Sequence, residues 1–188
     1  PEQISGVYQL RKRLPYVCCS VFVPFSRRSM ERLTYESFEQ VPGGGWKRKE
    51  RPGPGDADQW WECFRVFRTV CIMLDLVEIE TLDNYAEMVR RFARKYAACW
   101  FLVYQAERRM RAEHMLRLYR RVEAEHRALL AAGRPSTFDE EAPWKAIFKA
   151  ALADTQYWDE ELHRPAFSYL AGISSAASVR DDVLMHAA

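Results

Sequence analysis

Asp56 to Leu74, DADQWWECFRVFRTVCIML, decides how the rest of the chain is read. Trp60, Cys63, Phe64, Phe67, Val70, Cys71 and Leu74 recur at steps of three and four, the period of one buried helical face. At about 150–250 Å2 per ring, its two tryptophans and two phenylalanines can remove several hundred Å2 from water. Asp56 is placed to cap this helix, with Gln59 three residues on as the reciprocal partner. The helix should stop near Asp75. Just upstream, Pro52-Gly53-Pro54-Gly55 is the clearest punctuation in the chain and marks where the helical part begins.

Downstream, Thr81 is expected to cap a second helix, on which Leu82, Tyr85, Ala86, Val89, Phe92 and Tyr96 keep helical spacing. Arg90, Arg91, Arg94 and Lys95 crowd its last turns, where positive charge complements the helix dipole. A third helix is expected from near Ala98 to Ala132, ended by Gly133 and Pro135, with Trp100, Val103, Ala106, Met110, His114, Leu118 and Val122 on its apolar side. Its length predicts a bend or a projecting end. Thr137 to Glu140 has capping-box spacing and Pro143 suits a first helical position, so a fourth helix should carry Trp144, Ile147, Phe148, Ala151 and Leu152. It is expected to run on through Tyr157, Trp158 and Leu162 to His163, with an interruption at Pro165.

Upstream, residues 1–15 read as an arm and Tyr16–Phe25 as extended chain, followed by one short helical turn over Ser26–Leu33. Thr34–Val41 and Trp46–Arg51, on either side of Pro42-Gly43-Gly44-Gly45, predict a β-hairpin. The expected fold is therefore mainly α: an arm and hairpin over 1–55, a bundle-like helical domain over 56–172, and a Ser/Ala-rich tail over 173–188.

With 188 residues the chain is long enough to bury a sizeable core, and 48% hydrophobic against 29% charged residues exclude a wholly disordered protein. Lys and Arg exceed Asp and Glu by only 28 to 26, so any attraction to nucleic acid or acidic lipid must come from local clusters. No apolar run has the roughly 18 residues that span a bilayer, and the start lacks the order of a secretory signal. The first residue is Pro1 rather than Met, which points to a piece of a longer polypeptide. The cysteines, Cys18, Cys19, Cys63, Cys71 and Cys99, are odd in number, and three of them fall on apolar faces, so a reducing intracellular compartment, cytoplasmic or nuclear, is expected.

No catalytic motif stands out. Cys-x-x-Cys, Gly-x-Ser-x-Gly and the phosphate-cradling Gly-Lys-Ser/Thr ending are all missing, and no cofactor is implied. Glu123–His126 and Glu160–His163 share the Glu-x-x-His spacing of di-metal four-helix proteins, with Glu62 and Glu87 as further candidate ligands. The order of helices is wrong for that fold, and both histidines fall near helix ends where solvent should reach them. A basic signal is clearer. Arg108, Arg109, Arg111, Arg117, Arg120 and Arg121 could present a stripe of guanidinium forks to phosphates. Lys47, Arg48, Lys49 and Arg51 form a second cluster beside Trp46, which could stack on a base. The competing explanation is a solvated helix face with Glu–Arg pairs four apart, such as Glu107 with Arg111 and Glu113 with Arg117.

Arg51-Pro52-Gly53-Pro54, Trp60-Trp61, Phe64 to Thr69, Met73-Leu74-Asp75, Leu82 to Tyr85, Trp100 to Glu107, Arg111 to His114, Pro143-Trp144 and Trp158 to Leu162 occur in a recognisable order. Together they resemble a helical region of large, uncharacterised retroelement-type polyproteins of single-celled algae. By its place upstream of the enzymatic parts that region is gag-like. The resemblance implies a non-enzymatic module of a mobile genetic element (a retrotransposon) that self-associates and packages RNA. Gag proteins often add a zinc knuckle for this; none occurs in this sequence, so RNA contact would fall to the arginines or to a segment outside it. The alternatives are a protein–protein adaptor docking a partner helix along 115–130, and the di-metal helical enzyme.

Overall fold

The structure, a computed structural model, describes residues 15–17, 19, 34–41 and 45–172, the side chains of 39–41, 45 and 46 excepted. The expected arm, most of the extended segment, the turn over 26–33, the glycine turn and the tail lie outside these residues. The protein is mainly α with one small hairpin. Strand β1 (Thr34–Val41) pairs antiparallel with β2 (Gly45–Pro52), and Tyr35 stands opposite Arg51. The helices are α1 (Ala57–Met73), α2 (Ile79–Lys95), α3 (Trp100–Arg109), α4 (Met115–Ala131), α5 (Pro143–Ala153) and the single turn α6 (Thr155–Trp158).

Helix α1 forms for the reasons its sequence gives. Asp56 Oδ1 accepts from the Gln59 amide at 2.8 Å, and Gln59 Oε1 reaches back one residue further than expected, to the Gly55 amide at 3.0 Å. Trp60, Cys63, Phe64, Phe67 and Cys71 are buried. Val70 departs from the expected buried face: with Val66 and Met73 it is exposed on the opposite edge of the helix. The core is an aromatic run crossing four helices. Phe64 stacks on Trp60 at 4.9 Å and on Tyr85 of α2 at 5.9 Å, and Tyr85 meets Phe148 of α5 at 5.6 Å and Trp158 of α6 at 6.5 Å.

Three expected boundaries move. The second helix starts at Ile79, with Glu78 at its N-cap, and Thr81 is buried inside the first turn. Asp75 is the cause: it takes a left-handed φ of 49°, and the Leu76 amide bonds back to Cys71 O at 2.9 Å, which turns the chain early. Ala142, not the Thr137–Glu140 box, caps α5; Asp139 Oδ1 instead closes a local turn with the Glu141 amide at 2.9 Å. Beyond α6 a π turn spans Asp159–His163, and helix continues over 164–172 through Pro165. Arg164 N–H bonds five residues back to Asp159 O, so the ladder has already slipped where proline, which has no N–H, comes next.

The third helix runs from α3 into α4 through a second π turn, Met110–His114. Gly133, at φ 66°, closes α4, where the Arg134 amide bonds Leu129 O at 2.9 Å. The hairpin lies on α3: Tyr35 meets Tyr104 edge-on at 5.0 Å, and Trp100 Nε1 donates to Pro54 O at 2.9 Å.

Candidate nucleic-acid interface

The π turn decides where the arginines point. An extra residue per turn rotates the downstream helix face by about 100°, one residue's share of a helical turn. The expected stripe is interrupted at its middle, where Arg111 is buried. Arg108 and Arg109 face the hairpin, Arg117, Arg120 and Arg121 lie exposed on α4, and Arg111 between them turns inward.

Arg111 cannot act as a surface phosphate contact: it is 2% exposed, and Glu107, its partner one turn earlier, is wholly buried. The guanidinium forks onto both Glu107 oxygens, with Nη2 to Oε2 at 3.0 Å and a shorter bond from Nε to Oε1. It also donates to Val17 O at 3.4 Å and lies over the rings of Phe67 at 5.3 Å and Tyr16 at 5.5 Å. Burial alone would favour the neutral form, but the Glu107 charge outweighs it and holds the Arg111 pKa well above its ordinary value.

The hairpin cluster is divided too, because side chains alternate along a strand. Lys47 and Lys49 share a face with Arg51, and Arg48 lies on the other; the side chain of Trp46 is outside the described residues. All of Lys47, Arg48 and Lys49 are exposed, but Arg48 is engaged by Glu36 across the strands. Arg51 Nε donates to the buried Ser37 Oγ at 3.1 Å, which anchors its guanidinium on the hairpin.

Between hairpin and helix this arrangement leaves a cavity of about 420 Å3, bordered by Tyr16, Tyr35, Arg51, Gln105, Arg108 and Arg109. Glu113 is the acid on the same lining, and Glu161 holds Arg109 from outside at 2.6 Å. Tyr35 is 3% exposed, and its hydroxyl meets no hydrogen-bond partner although Gln105 lies beside it. Burial pushes the Tyr35 pKa up against the opposing pull of Arg51, Arg108 and Arg109, so at neutral pH it is a proton donor.

No protein-family model, curated protein or solved structure matches this chain. Function must be read from the donors present. Guanidinium forks and a phenolic O–H, gathered from two elements, suit an anion with several acceptor oxygens. Sequence reasoning misses Tyr35 and Gln105; the one signal for them is that Tyr35 falls opposite Arg51 in the hairpin register.

The histidine sites take other forms than expected. His126 is 8% exposed rather than solvated, with Nδ1 2.8 Å from Ser136 Oγ and Nε2 3.2 Å from Glu140, so it pins the loop after α4. His163 Nδ1 is 2.8 Å from Tyr96 Oη, Glu123 holds Arg127 at 2.9 Å, and Glu160 accepts from Gln156 at 2.9 Å. Among the described residues no group of three His, Cys, Asp or Glu is placed to hold a metal ion. Along 115–130 the large apolar residues at the surface are Leu116 and Leu130, while Met115 and Leu118 are buried, so the stripe that an adaptor helix would dock is interrupted.

Proposed function

We propose that this chain is a non-enzymatic, gag-like assembly module that associates with RNA or another single-stranded nucleic acid through arginine–phosphate contacts. The observation that supports it most is the meeting of Arg51 with Arg108 and Arg109 at one cavity beside an unpartnered Tyr35 hydroxyl. Arg117, Arg120 and Arg121 extend the positive surface along α4, and Lys47 and Lys49 do so along β2. Self-association has its own support: Val66, Val70 and Met73 stand exposed at helical spacing on α1, with Met73 79% exposed. No described helix is long and apolar enough to cross a membrane.

The test is light scattering on a sizing column at low and moderate salt, with and without a generic single-stranded RNA. Oligomers should grow with RNA and fall apart as salt rises. Replacing Arg117, Arg120 and Arg121 by Gln should flatten the salt dependence of log affinity by about 2, at ~0.7 for each phosphate no longer neutralised. Val70→Glu with Met73→Glu should return the RNA-free protein to monomer. A wild-type monomer indifferent to RNA at low salt rejects the reading.

A further inference from the structure

The geometry points to the cavity between the hairpin and α3 as a phosphomonoester site, which receives the phosphorylated end of a strand or a nucleoside monophosphate. This deepens the function proposed above and rests on it for the class of ligand. Three observations carry it. Arg51 and the pair Arg108 and Arg109 come from different elements yet border one cavity, so the convergence is tertiary and not a helix face. Tyr35, 3% exposed, borders the cavity, and its hydroxyl meets no partner; a buried donor left unmade is costly unless something arrives to accept from it. Among the described residues of the lining the three arginines outnumber the acid Glu113, and Glu161 pairs with Arg109.

A carboxylate offers two oxygens to this set of donors. A phosphomonoester offers three terminal oxygens and about −1.5 to −2 charge at neutral pH, which fits the number of donors better. A phosphodiester inside a strand carries one charge and would have to bring chain in and out of the same cavity. The volume, about 420 Å3, lies in the range of small-molecule pockets and fits one terminal nucleotide. Tyr16, held over the Arg111 guanidinium, borders the cavity and supplies a ring against which a base can pack.

The experiment measures fluorescence anisotropy on two 3′-labelled RNAs that differ only in a 5′-phosphate or 5′-hydroxyl, and calorimetry with a nucleoside 5′-monophosphate and with inorganic phosphate. The 5′-phosphate should tighten binding about tenfold, as charge-assisted bonds to one more phosphate would. Arg108→Gln and Tyr35→Phe should each weaken binding of the 5′-phosphate RNA more than that of the 5′-hydroxyl RNA, and so shrink the ratio. The melting temperature of Tyr35→Phe should match the wild type, and a loss of the ratio at an unchanged melting temperature is a loss of the site and not of the fold. Binding of the monophosphate but of neither RNA would keep the site and reject the RNA-packaging function. Equal affinity for the two RNAs, with no heat from the monophosphate, overturns the site while leaving general RNA association standing. A ratio that survives both substitutions also overturns it.

Discussion

Glu107 and Arg111, one helical turn apart where α3 passes into its π turn, form a two-pronged ion pair in the protein core. Glu107 is wholly buried and Arg111 is 2% exposed. Arg111 reaches from there to Val17 O, to Cys19 and to the ring of Phe67, so one charged group joins the segment near residue 17 to α1 and α3. Removing one partner strands the other charge away from water, which costs about 3–5 kcal/mol. Glu107→Gln and Arg111→Met should each lower stability by about that much in urea unfolding. Replacing both residues by methionine should recover most of the loss, because apolar groups of similar volume need no charge partner. A double variant no more stable than the singles would show that the pair contributes through packing and not through charge.

Gly53 is the hinge between hairpin and helices and admits no side chain. Its φ is 147°, and a Cβ there would stand 2.3 Å from Tyr104 Cε1. Gly53→Ala should cost about 2–4 kcal/mol, from overpacking of ~1–3 and positive-φ strain of ~1. Gly133, at φ 66° with nothing within 4 Å of an added Cβ, should lose only about 1–2 kcal/mol on the same change. The comparison of unfolding midpoints separates steric conflict from backbone strain. Similar losses at both positions would refute the close approach to Tyr104.

His163 makes stability depend on pH near neutrality. Burial first, and the Lys95 charge second, hold its pKa below the ordinary value of about 6.5, with Asp159 working the other way. The unfolded chain then takes up the proton more readily than the folded one. The contribution is complete above about pH 6.5 and is lost as pH falls below it toward the folded value. The urea midpoint should rise from about pH 5.5 to about pH 7.5, and His163→Gln, which keeps a polar partner for Tyr96, should flatten that rise. An unchanged slope in the variant would assign the effect to other groups.

Much of the fold is legible because its signals are local. The 56–74 stretch has a cap, an aromatic period and a proline-glycine boundary, and α1 forms within two residues of the expected limits. The start of α2 departs from expectation because Asp75, not a glycine, adopts the left-handed turn. The site is legible only in part. Glu107 and Arg111 are visible as a pair four apart, but Arg111 is covered by Phe67, Tyr16, Val17 and Cys19, which no helical period connects to it. The single stripe is interrupted for the same reason: Arg111, in its middle, is buried by these distant contacts. Alternation along β2 is enough to divide Lys47, Arg48 and Lys49 once the hairpin is expected.

Asp154 holds the junction between α5 and α6 through two separate bonds, and two substitutions can tell them apart. Its Oδ1 accepts from the Tyr157 amide at 3.0 Å as the cap of α6, and its Oδ2 lies 2.8 Å from His114 Nε2 on the π turn. Burial works to raise the Asp154 pKa, but the His114 bond and the Tyr157 amide outweigh it and hold the carboxyl below its ordinary value. The folded state therefore releases this proton more readily than the unfolded one. Its contribution is present above about pH 3.9 and is lost as pH falls through the lower folded value. Asn is as good a cap as Asp, so Asp154→Asn should keep α6 and lose only the charge facing His114, about 1 kcal/mol. Asp154→Ala loses the cap as well and should cost about 2–3 kcal/mol. Unfolding at neutral pH measures both, and an acid titration of the Asn variant should show less loss of stability below about pH 4 than the wild type. Equal costs for Asn and Ala would place the whole contribution in the bond to His114, and the single turn of α6 would then stand without its cap.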